Sequence, residues 1–519
     1  MPPATGFTSY ADTILAALAR DPERLALTGP EGHPDLTAGE LHATVQRMAA
    51  VLDARGIGRG HTVCLLSGNR PEVLAVRYAV NLLGARVVFL YDGMAAESLA
   101  RIADSVEPAL LVADPELHAT AREVLRRLPG PRPEVLTLGP APAPALGADL
   151  LAACAALPAT PEVPSRARPE DDWCIRHTGG TTGIPKGVRM AHAPYGAMLA
   201  HMAPDPADGP ARFLACTSLA HLAGILSDLT LAGGGTVFLH RSFDPAAVLA
   251  AVARDRITDL WLLPPLLYRL LDDPTLPTTD LSSLARITYG GCPASPSRLL
   301  QAAEVFGPVL HGMYGMSEAM SISLALPEDH VPTGPGGRIT VGRALPGVEI
   351  AVRDADGRDL PTGEQGEVHI RSAGVMAGYW KQPEETARAL PGDGWLRTGD
   401  VGCLDDEGRL YLVDRVKDVI IVVGGHVHPA EIEDLLHTHP AVAHCAVYGV
   451  RTADETEEVH VAVVPAPGRT VDPADLRAFV TAHKGAMYAP AAVHVVDAIP
   501  LTPVGKPDKT VLRAGAATA

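Results

Sequence analysis

The chain has 519 residues, 47% of them hydrophobic, which is more than one core usually organises, so two or more domains with ample apolar material to bury are expected. Forty-three Lys+Arg against 60 Asp+Glu leave a formal charge of -17, a balance that repels nucleic acid and anionic membrane and argues against both as the main partner. The cysteines, at 64, 154, 174, 216, 292, 403 and 445, are odd in number, scattered and without a C-x-x-C pair, which argues against a disulfide framework or a zinc cluster and for a reducing compartment. The N-terminus, MPPATGFTSYADTILAALARDPE, has no basic region before its apolar stretch, and no later run of about 18 residues lacks charges or breakers. A cytoplasmic protein without membrane insertion is expected, and no repeat of solenoid period is present.

From Leu41 to about Leu138, ELHATVQRMAAVLDARG, TVCLL, PEVLAVRYAVNLLG and RVVFL alternate helical and strand-like periodicities, an α/β rhythm. The Pro- and Ala-rich run LGPAPAPALGADLLAACAALPATPEVPSRARPE reads as a surface excursion. Beyond it WCIRH reads as a strand feeding a glycine loop, with a helix from about His192. RFLACTSL, GTVFL, TDLWLL, RITYG and PVLHGMYG read as further strands, with helical patterns such as DPAAVLAAVARD between them. Continuous apolar strands of this kind imply sheets covered on both faces. Between about 340 and 413, VEIAVRDADGRDLPTGEQGEVHIRS and LDDEGRLYLVD bring shorter strands and Gly-containing turns, a β-rich subdomain. From Val416 a unit of about 100 residues has α+β character, with strands in KDVIIVV, AVAHCAVYGV, EVHVAVVPA and AAVHVVDAIP and helices in PAEIEDLLHTH and PADLRAFVTAHK.

The segment most suggestive of chemistry is TGGTTGIPKG, Thr178 to Gly187. Its glycines let backbone N–H groups approach an anion, its threonines add hydroxyl donors, and Lys186 adds a compact cation. The spacing does not fit the P-loop pattern G-x-x-x-x-G-K-[ST]. Downstream stand YGMSEA (314–319), WLRTGD (395–400), DRVKDVIIVVGGHVHPAEIE (414–433) and PLTPVGKPDK (500–509).

Taken together and in this order, these motifs resemble the adenylate-forming superfamily of acyl-CoA synthetases, peptide-synthetase adenylation domains and firefly luciferases. The resemblance spans nearly the whole chain. It implies an α/β fold in which a large N-terminal domain of α/β sheets plus a β-rich subdomain, residues 1–414, carries the AMP and acid sites. A small mobile α+β C-terminal domain, residues 415–519, follows. The expected reaction joins a carboxylic acid to ATP as acyl-AMP, then passes the acyl group to the thiol of CoA.

The resemblance also implies roles for single residues. Thr178, Gly179, Gly180, Thr181, Thr182 and Lys186 would hold the β- and γ-phosphates. Tyr314 would stack on adenine, Ser317, where the family usually has threonine, would lie near the α-phosphate, and Glu318 would hold Mg2+. Gly290, Gly291 and Cys292 would lie along the adenine, and Gly290, Met313 and Met316 beside the acid. Cys292 as a nucleophile has no helper base in the sequence. Asp400 would accept the ribose hydroxyls, Arg415 would contact ribose and phosphate, and Lys417 would be the hinge, while Asp414 departs from the family's common glycine. Gly424 and Gly425 would line the pantetheine tunnel, and Lys506 would bridge the acid carboxylate and the α-phosphate. His221, in SLAHLAG, stands where CoA ligases of the family commonly have histidine and amino-acid-activating domains have aspartate. A fatty or aromatic acid is therefore expected rather than an amino acid, with a merely structural histidine as the alternative. The other histidines, including His437 and His439, read as surface residues. A free-standing acyl carrier protein, an amine or nitrite stand as alternative acceptors, loss of one half-reaction as a further one, and a homodimer is a further expectation.

Overall fold

Apolar β-branched runs only pack well when both faces of a strand are covered, and the strand Thr62–Leu66 is buried at all five positions, as Leu110–Ala113 and Thr236–Leu239 are at all four. A computed structural model describes residues 7–90, 92–178, 186–204, 209–415, 420–422, 425–451, 457–502 and 505–516. The chain forms two compact units, one from Met1–Trp261, Pro277–Ala285 and Ala373–Arg388, the other from Leu262–Leu276, Arg286–Ser372 and Ala389–Ala519.

The first unit holds a seven-stranded sheet in the order Ala148–Asp149, Glu134–Thr137, Leu110–Ala113, Thr62–Leu66, Arg86–Leu90, Asp172–Thr178, Lys186–Ala191. Its neighbours are parallel except the last pair, which is antiparallel. Helices Ala96–Val106 and His118–Arg127 pack Leu99, Ile102 and Val124 onto the sheet's Cys64, Leu66, Val88 and Leu111. The Pro- and Ala-rich stretch is more than an excursion. It contributes the two-residue edge strand Ala148–Asp149 and, capped by the Asp149 side chain, the short helix Leu150–Ala155, which buries Leu150 and Cys154. Its composition hid this because the regular elements within it span only eight residues.

A second set of strands in this unit runs Asp259–Leu262, Arg212–Ala215, Thr236–Leu239, Leu25–Thr28, Leu36–Thr37. The helices around it enclose a polar node. Arg77 and Asp228 are buried at 1% and 0% exposure and form an ion pair, and the hydroxyls of Tyr78 and Tyr195 each donate to Asp228 at 2.5 Å. Trp173 stacks on Tyr195 with ring centroids 4.3 Å apart, sealing the node in aromatic surface.

In the second unit the strand Arg286–Gly290 runs parallel to Leu310–Met316, which turns antiparallel into Met320–Ala325 and then Arg343–Ala344. The β-rich subdomain is an antiparallel meander of Val348–Arg353, Gly366–Ser372, Leu396–Leu404 and Leu410–Arg415. Beyond it the hairpin Ile420–Val422 with Gly425–Val427, the strands Val442–Arg451, Glu457–Pro465 and Ala492–Val495, and helices Pro429–Leu436 and Pro473–Lys484 share a core that includes Ile432, Leu436, Val447, Val461 and Val480. A last helix, Lys509–Ala516, docks Leu512 onto the other face of this sheet beside Tyr448 and Ala462. No helix among the described residues is long and apolar enough to cross a membrane.

Candidate functional site

In the first unit the glycine loop is held at both ends. Thr178 closes one strand and Lys186 opens the next, and the two residues face each other across the antiparallel ladder. Gly179, Gly180, Thr181 and Thr182 lie outside the described residues. The Lys186 ammonium sits 2.5 Å from the Glu385 carboxylate and 4.9 Å from the centroid of the Tyr379 ring. Neither partner was singled out from the sequence, because the pairing joins residues 199 apart and leaves no local pattern. His221 occupies the N-cap position of helix Leu222–Ala232 without a side-chain capping bond, and the loop before it is tied down by Asn69, which donates to the Thr217 carbonyl and accepts from the Leu219 N–H.

In the second unit the motif YGMSEA is a bulged hairpin. Its register slips between Tyr314 and Gly315, Ser317 to Ala319 make the turn, and Met316 pairs with Met320. Glycine is required at 315, since a Cβ there would lie 2.4 Å from the Met320 carbonyl oxygen. The hairpin carries Met313, Tyr314, Met316, Ser317 and a buried Glu318 within a few residues of one another.

The TGD motif is a bulge rather than a simple turn. Between the pairs Glu367 with Val401 and His369 with Arg397, the 396–404 strand carries extra residues. Gly399 takes a φ of +71°, a left-handed conformation that a side chain disfavours. The Thr398 hydroxyl donates to the Val368 carbonyl and accepts from the Asp400 N–H, fixing the bulge. The kink sends the Asp400 side chain inward at 5% exposure, where the Tyr314 hydroxyl donates to its carboxylate at 2.6 Å. Two groups assigned to the nucleoside end of one ligand, 86 residues apart in sequence, thus form a direct bond. The backbone of Arg415 pairs with Asp400, while the Arg415 side chain, Lys417 and Gly424 lie outside the described residues; the backbone of Gly425 pairs with Val422.

Gly290 ends its strand and Gly291 follows at φ +84°, leading to Cys292. Desolvation pushes the Cys292 thiol up to about 12, with Lys506 pulling it down and Glu433 pushing it further up. A thiol so disfavoured as thiolate is a poor nucleophile, and a compact neutral group is what this position supplies. Lys506 belongs to the same unit and is close enough for its charge to act on Cys292. Its loop is closed by bonds from the Thr502 N–H to the Lys506 carbonyl at 2.7 Å and from the Lys506 N–H to the Thr502 hydroxyl at 3.2 Å.

The reading of the remaining histidines as surface residues is wrong for several of them. His177, His192, His330, His369 and His460 are buried. Burial holds His177, His192 and His437 down to about 4, so they are neutral imidazoles. They serve packing: His192 stacks on Tyr10, and His437 packs edge-on to Tyr268. His192 opens a helix and His177 nearly closes a strand, while His369 and His460 lie mid-strand, and a polar residue type gives no sign of burial at any of these places. Among the described residues no group of three or more His, Cys, Asp or Glu could hold a metal ion.

A family model described as AMP-binding enzyme matches residues 15–380, and one described as AMP-binding enzyme C-terminal domain matches residues 431–506. The medium/long-chain-fatty-acid–CoA ligase FadD8 of Mycobacterium tuberculosis is 36% identical over 497 residues, covering 93% of this chain and 86% of that protein. The amide bond synthetase McbA from Marinactinospora thermotolerans superimposes with a TM-score of 0.85 at 40% identity, covering 98% of this chain and 99% of that one. ATP-bound MatB from Rhodopseudomonas palustris gives a TM-score of 0.84 at 27% identity, covering 98% and 99% of the two chains.

Proposed function

This chain belongs to the AMP-binding enzyme family as an AMP-forming acyl-CoA synthetase, and we propose that it activates a fatty or aromatic acid in two steps within the architecture its residues suggest. The observation that carries the site assignment is the 2.6 Å bond from Tyr314 to Asp400, which preorganises a ring and a carboxylate as one nucleoside-binding pair. In the first step the acid carboxylate attacks the α-phosphate of ATP, forming the acyl–oxygen–phosphorus anhydride as the bond to pyrophosphate breaks. Thr178 and Lys186 would hold the phosphates from the glycine-loop side, Ser317 would donate to the α-phosphate, and Lys506 would neutralise the two anions as they meet. A hard cation held by one carboxylate plus phosphate oxygens suits Mg2+, and the buried Glu318 offers such a carboxylate; the ion would add charge neutralisation there. In the second step residues 415–519 would turn about Lys417 and bring Gly424 and Gly425 to the thiol arm of CoA, which displaces AMP. His221, Gly290, Met313 and Met316 would border the acid.

A specific observation also favours a second reading of that last step. At 40% identity to an amide bond synthetase, the fold and motifs are compatible with an amine as the acceptor of the acyl group. One experiment separates the two. The protein is incubated with MgATP and pooled fatty and aromatic acids, with CoA or with a panel of amines, and products are identified by mass spectrometry. Acyl-CoA formation is expected; acyl-AMP that accumulates with CoA and is consumed only by amine would replace the thioester assignment with amide formation.

A further inference from the structure

We propose that Glu385 is a positioning residue for Lys186, holding its ammonium in one direction so that it meets the phosphates already oriented. The proposal rests on the reading of Lys186 as a phosphate contact and adds to it the group that aims it. The geometry has three parts. Glu385 Oε2 lies 2.5 Å from the Lys186 Nζ, with both side chains about 30% exposed. Its other carboxylate oxygen, Oε1, is engaged by Arg388 one helical turn further on. The same ammonium lies over the Tyr379 ring, 4.9 Å from its centroid. A lysine ammonium has three N–H donors. With one given to Glu385 and the Tyr379 ring beside the ammonium, the directions left to the other two donors are fewer than for a free lysine.

The carrier of this clamp is itself fixed to the lysine's own strand. Trp380 N–H donates to the Gly187 carbonyl at 2.7 Å, Arg189 N–H to the Gly378 carbonyl at 3.0 Å, and Ala377 N–H to the Arg189 carbonyl at 3.1 Å. The Tyr379 N–H donates to the Thr386 hydroxyl at 2.9 Å, which ties the segment to the helix Pro383–Ala389 that bears Glu385. Trp380 Nε1 reaches the Ser105 carbonyl at 3.0 Å, and Arg86 and Arg189 stack over its ring. Lys186, Glu385 and Arg388 together carry one net positive charge, so the trio still attracts a polyphosphate. A flexible four-carbon stem loses much rotamer freedom when it binds, and a stem ordered beforehand loses less at that moment. An ordinary partly exposed ion pair contributes little to stability, so the role is read from nucleotide kinetics and not from melting.

The test uses the full chain in acid-dependent ATP–pyrophosphate exchange, with KM for MgATP and kcat measured for Glu385→Gln, Glu385→Asp, Glu385→Ala, Lys186→Ala and the double variant Lys186→Ala with Glu385→Ala. Glu385→Gln is close to isosteric, and a melting curve identifies any variant that is unfolded. The expected result is a KM for MgATP raised roughly tenfold in Glu385→Gln and Glu385→Ala with kcat within about threefold, the scale of one charge-assisted hydrogen bond. Glu385→Asp should recover part of the loss, and the double variant should be no worse than Lys186→Ala. An unchanged KM in folded Glu385→Gln and Glu385→Ala, while Lys186→Ala raises it, would overturn the positioning role and leave the phosphate contact standing. Additive losses in the double variant would also overturn it, since Glu385 would then act independently of Lys186. Unchanged KM in Lys186→Ala would overturn the phosphate contact and the clamp together.

Discussion

Replacing Tyr314 by phenylalanine removes one oxygen atom and keeps the ring, which separates the two tasks assigned to this side chain. The lost oxygen donates to the Asp400 carboxylate at 2.6 Å, and both residues are buried, at 8% and 5% exposure. A hydrogen bond to a charged group is worth about 1.5–3 kcal/mol, which corresponds to roughly 10- to 150-fold in an equilibrium. The lower end applies here, because Asp400 retains the position its bulge gives it through Thr398 and Gly399. Tyr314→Phe should therefore raise KM for ATP by about tenfold in pyrophosphate exchange while kcat stays within a few-fold. The ring still fills its volume, so a thermal shift of only a few degrees is expected. Tyr314→Leu, which removes the stacking face as well, should lose considerably more. In an Asp400→Asn background the Tyr314→Phe change should add little, because the two residues act as a unit. A KM for ATP equal to the parent's in a correctly folded Tyr314→Phe protein would refute the idea that this bond preorganises nucleoside binding.

Three other outcomes are expected. Lys506→Ala should abolish ATP–pyrophosphate exchange yet still form thioester from supplied acyl-AMP; unchanged exchange would remove the bridging role from Lys506. His177 and His192 are neutral in the fold down to about 4, whereas an unfolded histidine titrates near 6.5. The unfolded chain therefore binds more protons across that window, and stability should fall as pH drops from about 6.5 to 4, by up to about 3 kcal/mol for each group. A melting temperature that stays flat over this range, or an identical slope in His192→Gln, would contradict the assignment. Asp228→Asn should cost about 3–5 kcal/mol, because it leaves the Arg77 guanidinium buried without its counter-charge. Urea unfolding with intrinsic tryptophan fluorescence reads this directly, since Trp173 stacks against Tyr195 of the same node, and a change below about 1 kcal/mol would mean the node is already neutral.

The sequence was most legible where one local pattern suffices. Five-residue apolar strands such as TVCLL and RVVFL, and the amphipathic helix around PAAVLAAVARD, stand where periodicity put them. Motif order was enough for the family, and YGMSEA and TGD hold their residues on two structured bulges. What escaped was non-local or compositional. The Lys186–Glu385 pair and the Arg77–Asp228 node join distant segments, and neither half carries a mark of its partner. The edge strand at Ala148 was masked by surrounding proline and alanine, and the buried histidines looked polar because their neutral form is a consequence of burial rather than of residue type.

The lacing of residues 377–380 onto the strand Lys186–Ala191 has a meaning apart from nucleotide chemistry. That strand is the last in its sheet, and an unpaired strand margin is a template on which a second chain can add. At the opposite margin the sheet ends in only two residues, too short to recruit a stranger. The vulnerable margin is covered instead by a segment almost two hundred residues downstream, so it stays open throughout the synthesis of everything between. A chain interrupted before residue 373 should therefore leave this margin open to a second copy, and size-exclusion chromatography of a chain ending at residue 372 should show self-association, a monomer refuting the idea.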